Sequence, residues 1–198
     1  MTHHRRRNNG TDPSKINETV ELSPAQRYAA FKQTQAKQRT VAAEFARSMP
    51  FELDEFQMQA NDALEAGDNV LVAAPTGAGK TVAADFAIYL AQTRNVKAFY
   101  TTPIKALSNQ KYHDLVDQYG TDKVGLLTGD TSINSEADIV VMTTEVLRNM
   151  LYEHSVTLEA LRYVILDEVH YLADRFRGPV WEEVIIHLPK NVNIIGLS

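Results

Sequence analysis

The fold follows from one stretch of sequence, Asn69-Val70-Leu71-Val72-Ala73-Ala74-Pro75-Thr76-Gly77-Ala78-Gly79-Lys80-Thr81. Its first five residues predict a buried strand, and the apolar residues Val82, Phe86 and Leu90 have the spacing of a helix. Small residues between a strand and a helix let backbone N–H groups converge on phosphate oxygens, and the helix N-terminus adds partial positive charge. The stretch is therefore predicted to be a phosphate-binding loop.

Two side chains of this loop have predicted roles. Lys80 would neutralise the β and γ phosphates of a nucleotide, and Thr81 would offer its hydroxyl to Mg²⁺. The backbone cradle comprises Ala74, Pro75, Thr76, Gly77, Ala78 and Gly79. Ala74 stands where the general pattern has glycine, which matters only if this residue needs a positive φ. The alternative is a glycine-rich turn with an incidental lysine.

A second site is predicted where another buried strand ends. Tyr163–Leu166 is followed by Asp167-Glu168-Val169-His170. The carboxyl ends of parallel strands face the ligand crevice, so these acids should lie beside the phosphate loop. Asp167 would hold Mg²⁺, directly or through water, and Glu168 would orient and deprotonate the attacking water. A solvated acidic loop is the alternative.

Short β-branched runs alternate with amphipathic helices after Pro50, which is typical of an α/β fold whose mostly parallel sheet is sandwiched by helices. Six strands are predicted near residues 69–73, 97–102, 123–127, 138–143, 162–166 and 192–197. Helices are predicted to begin near Leu53, Gly79, Ile104, Thr144 and Pro179, and Gly67 and Gly120 mark helix ends.

The first fifty residues differ from the rest in charge. They carry nine Lys/Arg against four Asp/Glu, whereas residues 51–198 carry eleven against 21. Residues 1–22 are predicted to be a flexible basic tail. Residues 23–50 are predicted to be a helical extension that begins with Ser23 as N-cap and Pro24 in the first turn.

Composition excludes several classes of protein. The chain has 198 residues, 44% of them hydrophobic, which suffices for one domain with a core. No apolar run approaches the roughly 18 residues of a membrane helix, and no signal peptide is evident, so we expect no membrane association and a cytoplasmic location. The absence of cysteine excludes disulfides, zinc ribbons, iron–sulfur clusters and thiol nucleophiles.

Several motifs together resemble the superfamily 2 DExH-box helicases, especially the superkiller-type ATP-dependent RNA helicases and their actinobacterial relatives. Residues 74–81 resemble helicase motif I, and Asp167-Glu168-Val169-His170 resembles motif II in its DEVH form. Three further segments, Phe51–Gln57, Thr102–Tyr112 and Arg177–Glu183, are similar to that family. The resemblance covers residues 51–198 and implies a RecA-like P-loop NTPase fold that binds ATP and Mg²⁺.

The resemblance also implies nucleotide contacts outside the loop. Phe51 would stack on adenine, and Gln57 would read the hydrogen-bonding edge of the base. His170 would link the nucleotide site to motif III, which Gly196-Leu197-Ser198 resembles at its start. From the residues alone, the alternative is that Phe51 and Phe56 belong to the core.

Three more motifs resemble RNA-contacting segments of the family. Pro103 and Lys105 would meet phosphates at a helix N-terminus. Thr128 with Gly129, and Thr144 with Glu145, would bind the backbone of RNA without reading its sequence. From the chemistry alone, the alternatives are an exposed surface lysine for Lys105, a turn for Gly129-Asp130 and a helix N-cap for Thr144.

The resemblance implies an N-terminal RecA-like lobe that ends at motif III. A second RecA-like lobe with an arginine finger is expected in the full-length chain, so residues 1–198 alone would bind ATP–Mg²⁺ weakly, hydrolyse it slowly and unwind nothing. RNA is the expected partner, with DNA not excluded. The alternatives are a P-loop NTPase that is no helicase, and an ATP- or RNA-binding module without turnover.

Overall fold

The computed structural model describes residues 39–198 and, before them, the isolated positions 23, 25, 26, 28, 29 and 32. Contacts divide the chain into two units, Met1–Gln38 and Arg39–Ser198. In the first unit, the backbone N–H of Ser23 donates to Gln26 Oε1 (2.8 Å), and the backbone N–H of Gln26 donates to Ser23 Oγ (3.3 Å). Ser23 is therefore an N-cap, as predicted. The predicted tail, residues 1–22, lies outside the described residues.

The second unit begins with helix α1 (Val41–Ser48), which packs on the sheet domain. Its Phe45 is buried, with its ring centroid 5.1 Å from that of Phe86. The first two N–H groups of α1 donate to the Glu65 carboxylate at 2.9 and 2.7 Å. The end of the predicted extension 23–50 thus belongs to the same compact unit as the sheet.

Seven strands form one sheet in the order β1-β7-β6-β2-β5-β3-β4. The strands are β1 (Val70–Val72), β2 (Lys97–Thr102), β3 (Val124–Thr128), β4 (Thr131–Ile133), β5 (Ile139–Thr143), β6 (Leu161–Leu166) and β7 (Asn193–Leu197). All neighbours are parallel except β3 and β4. The six predicted strands are confirmed to within one residue at either end. Strand β4 was not predicted; a turn at Gly129-Asp130 folds it back on β3 as a short hairpin.

Helices α2 (Glu55–Ala66), α3 (Thr81–Thr93), α4 (Lys105–Tyr119), α5 (Thr144–Tyr152) and α6 (Gly178–His187) connect the strands, with 3-10 turns at Val156–Leu158 and Val169–Ala173. Their predicted starts are confirmed to within two residues. Gly67 ends α2 in the left-handed conformation (φ 95°), as its position predicted. The N-cap of α5 is Thr143 and not Thr144, because the Thr144 hydroxyl instead donates to the carbonyl of Thr102 (3.2 Å).

Alternate residues of the central strands bury opposite faces of the sheet. Tyr100 and Ile165 pack on the side of α1 to α4, whereas Phe99 and Val164 pack on the side of α5 and α6, where Trp181 is buried. Burial on both faces explains why these strands read as continuous apolar runs. The predicted α/β fold with helices on both sides of a mostly parallel sheet is confirmed.

Within the described part of the chain, no helix has the length and apolar character needed to cross a membrane.

Candidate functional site

The sheet topology brings the phosphate loop and the acid pair to one edge. Strands β1 and β6 both pair in parallel with β7, with Val72 opposite Leu197 and Leu166 opposite Gly196. Because neighbouring strands lie roughly 4.8 Å apart, the ends of β1 and β6 are separated by about 10 Å. Ser198 extends the contact between β7 and the start of the phosphate loop, since its N–H donates to Val72 O (3.0 Å) and its carbonyl accepts the N–H of Ala74 (3.2 Å).

The loop itself is shaped by two glycines in the left-handed region, Gly77 (φ 86°) and Gly79 (φ 75°). A Cβ added to Gly79 would lie 2.5 Å from Nε2 of Gln57, so a larger residue would displace that amide as well as strain the backbone. Ala74 does not have a positive φ. The alanine in place of the glycine of the general pattern therefore has no conformational cost. Lys80, at the start of α3, makes no ion pair with any described residue, which leaves its ammonium group available to an anion.

The two predicted adenine-binding residues have different surroundings. Gln57 is 5% exposed, and its side-chain amide forms hydrogen bonds within the protein. Its Nε2 donates to Gly79 O (3.0 Å), and its Oε1 accepts the N–H of Asp54 (2.8 Å), so it fastens the start of α2 to the phosphate loop. Phe51 is 52% exposed, which rules out the core alternative for this ring.

Asp167 is held by two donors. Its Oδ2 accepts the hydroxyl of Tyr100 (2.7 Å), and its Oδ1 accepts the N–H of Glu168 (2.9 Å). Tyr100 is buried on β2, and this burial, followed by the charge of Asp167, raises the pKa of the phenol well above its usual value. Tyr100 therefore remains a donor at neutral pH. Sequence reasoning missed Tyr100, although a tyrosine in a buried strand signals that its hydroxyl needs a partner.

Glu168 stands in a strained conformation. Its φ of 60° lies in the left-handed region, which few residues with a side chain adopt. Its Oε2 lies 3.1 Å from Nδ1 of His170. His170 thus contacts the second acid of the pair directly.

Four of the six predicted RNA-contacting residues line a depression that we call the recess, and the other two, Thr128 and Thr144, are neighbours of lining residues in sequence. The recess has a volume of about 390 Å³ and is lined by Pro103, Ile104, Lys105, Gly129, Asp130, Thr143, Glu145 and Arg177. Helices α4, α5 and α6 all begin at residues of its wall. Their N-termini contribute partial positive charge to the recess. Gly129 faces open space, since an added Cβ would meet nothing within 4 Å.

Several of the predicted RNA-contacting side chains already form hydrogen bonds or ion pairs within the protein. Lys105 Nζ lies 2.5 Å from Asp130 Oδ2, and Thr128 donates to Asp130 Oδ1 (3.0 Å). These hydrogen bonds hold the pKa of Asp130 below its usual range. The hydroxyls of Thr128 and Thr144 are both used inside the domain, so their backbone groups are what they can offer a ligand. Sequence reasoning missed the acid that pairs with Lys105, and it missed Arg177 as part of the wall.

Comparison with known proteins agrees with this geometry. Residues 54–198 match the family model of the DEAD/DEAH box helicases. The chain is 62% identical over 154 residues to "Probable helicase HelY" of Mycobacterium tuberculosis, a match that covers 78% of this chain and 17% of that protein. It is 54% identical over 153 residues to "Antiviral helicase SKI2" of Saccharomyces cerevisiae, covering 77% of this chain and 12% of that protein.

Solved structures of helicases also superpose on this chain. Helicase Lhr of Mycobacterium smegmatis, bound to ssDNA and AMP-PNP, superposes with a TM-score of 0.56 at 32% identity over 72% of this chain and 22% of its own. The helicase MrfA, bound to DNA and AMPPNP, gives a TM-score of 0.62 at 25% identity over 78% of this chain and 25% of its own. This chain therefore belongs to the DEAD/DEAH box helicase family.

Proposed function

We propose that this chain is the ATP-binding lobe of an ATP-dependent RNA helicase that couples ATP hydrolysis to translocation and unwinding. The observation that carries the proposal is the parallel arrangement of β1, β7 and β6, which brings Lys80 and the acids Asp167 and Glu168 to one edge of the sheet. Family membership excludes the alternative of a P-loop protein that is no helicase.

The residues present fit ATP with Mg²⁺. The glycine-shaped loop and the free Lys80 suit the phosphates, while Thr81 and Asp167 would hold the ion. Among residues 39–198, no cluster of three His, Asp or Glu side chains could hold a metal ion alone. Mg²⁺ usually takes one or two protein ligands and completes its shell with phosphates and water. The bound ion would neutralise charge on the transferring phosphoryl group.

Other residues act around the nucleotide. Glu168 would accept the proton of the attacking water, and His170, in contact with its carboxylate, would orient it. The exposed ring of Phe51 would stack on adenine. Gln57 would read the base while its amide also holds the loop through Gly79 O.

RNA would lie across the recess. Three helix N-termini and Lys105 favour phosphates, and Pro103, Gly129 and the backbones of Thr128 and Thr144 would contact the strand. The Glu145 carboxylate is suited to accept a ribose 2′-hydroxyl, which would favour RNA over DNA.

The lobe would work with a second RecA-like lobe. The chain spans 17% or less of the length of these two curated relatives, so the remaining parts are available to close over the nucleotide. An arginine finger from a second lobe typically contributes about 10³ to 10⁵ in rate. We infer that such a protein acts in the cytoplasm.

ATP hydrolysis with and without single-stranded RNA tests the proposal, on residues 1–198 and on a protein extended past Ser198. The extended protein should hydrolyse ATP faster with RNA, and Lys80→Ala should lose this turnover. Lys123→Ala, which removes an exposed lysine that pairs with Asp138, should keep it. An extended protein without RNA stimulation, together with full turnover in Lys80→Ala, would contradict the proposal. Nucleotide binding without any turnover would favour the binding-module alternative.

A further inference from the structure

The two cationic side chains in the wall of the recess differ in whether they form an ion pair. Two cations line it, Lys105 and Arg177, together with two carboxylates, Asp130 and Glu145. Asp130 neutralises Lys105 through the contact of 2.5 Å. Arg177 makes no ion pair of 4.0 Å or less with any carboxylate in the described part of the chain. Its guanidinium group is therefore the cation of the recess that is available to a ligand.

Arg177 is also held in position. Its backbone N–H and that of Phe176 donate to Asp174 Oδ1, each at 2.9 Å, so this carboxylate is engaged by the backbone. Its guanidinium carbon lies 5.0 Å from the centre of the Tyr171 ring. Stacking on an aromatic face restrains a guanidinium group but leaves the N–H donors at its edge free.

We propose that Arg177 is a phosphate-binding residue of the RNA groove, in the same recess as Lys105. A backbone phosphate would accept two N–H groups from the planar fork, a geometry that lysine does not provide. The partial charge at the start of α6, which Arg177 itself caps, would support the same phosphate. This inference rests on the proposed function, because it takes RNA as the ligand.

Fluorescence polarisation of a fluorescein-labelled oligouridylate, titrated with the 198-residue chain over a range of NaCl concentrations, tests this assignment. Arg177→Gln and Arg177→Met should weaken binding roughly three- to tenfold and reduce the slope of log K against log salt by about 0.7, the value for one phosphate contact on a single strand. Arg177→Lys should restore the slope but only part of the affinity. Arg175→Gln removes an exposed arginine two residues away and should change neither quantity.

Circular dichroism shows whether each variant is folded. If either Arg177→Gln or Arg177→Met fails to fold, the other neutral variant still tests the assignment. Wild-type affinity and slope in a folded neutral variant overturn the role of Arg177 while leaving the proposed function intact. A wild-type chain that binds no RNA at all overturns both the role of Arg177 and the choice of RNA as substrate.

Discussion

Tyr100 controls the orientation of the predicted metal ligand. Its hydroxyl donates to one oxygen of Asp167, and the Glu168 N–H donates to the other, so the carboxylate has little freedom to rotate. We expect Tyr100→Phe to raise the Mg²⁺ concentration needed for nucleotide binding roughly tenfold, because partners of metal ligands commonly have effects of this size. The Mg²⁺ dependence of fluorescence from a labelled ATP analogue measures this change.

Tyr163→Phe is the matched control for that experiment. Tyr163 is equally buried on β6, and its hydroxyl accepts a hydrogen bond from Arg94. Both variants lose one buried hydroxyl, but only Tyr100 contacts Asp167. An equal change in Mg²⁺ dependence in the two variants would mean that the effect is general destabilisation.

Asp130 competes with RNA for Lys105. The two side chains are exposed and in contact, so a phosphate must displace the carboxylate to reach the ammonium group. We expect Asp130→Asn to bind single-stranded RNA several-fold more tightly at low salt, since it removes a negative charge and frees a positive one. Asp138→Asn breaks a similar exposed ion pair, with Lys123, and should leave RNA binding unchanged. Weaker binding by Asp130→Asn would contradict this interpretation.

One side chain of α2 caps helix α1. Both carboxylate oxygens of Glu65 accept N–H groups at the start of α1, where the helix dipole also favours negative charge. Glu65→Ala should lower the free energy of unfolding by about 1–2 kcal/mol, as the loss of a helix cap does. Urea unfolding followed by circular dichroism measures the change. Asp62→Ala, at an exposed position of α2, should have little effect.

Helix α2 also carries a polar group that its surroundings do not satisfy. Asn61 is 1% exposed, and neither its Oδ1 nor its Nδ2 has a hydrogen-bond partner among the described residues. Because a buried unsatisfied amide costs roughly 1–3 kcal/mol, Asn61→Val should raise the free energy of unfolding by about that amount. Thermal unfolding tests this expectation, and a lower midpoint in the variant would show that the amide is needed.

The stability of the whole domain should fall at alkaline pH. Burial, and secondarily the charge of Asp85, raises the pKa of Tyr119 from 10.0 to about 12. Between these values the unfolded chain loses the phenol proton while the folded chain keeps it, so unfolding is favoured as pH rises. Urea unfolding at pH values on either side of 10 should show a smaller loss for Tyr119→Phe than for the wild type. Tyr152→Phe, at a 52% exposed position, should behave like the wild type.

The sequence by itself determined the class of fold and the residues around the predicted phosphates. Strand, glycine-rich turn and helix follow one another within residues 69–93, and their apolar spacing and small residues are local properties that a sequence displays directly. For the same reason six of the seven strands were predicted to within one residue and the helix starts to within two. Strand β4 was missed because Thr131-Ser132-Ile133 is not buried and contains a single apolar residue, whereas the equally short β1 lies in an apolar run.

Only the tertiary structure decided which distant residues meet. Strand order puts β7 between β1 and β6 and β2 next to β6, and no local pattern encodes that order. Tyr100 and Asp167 are 67 residues apart in sequence, and Lys105 and Asp130 are 25 apart. Arg177 joins the recess because α4, α5 and α6 begin at its wall. Hydrogen bonds and ion pairs depend on distances of a few ångströms, and for these residues the packed sheet and helices set those distances.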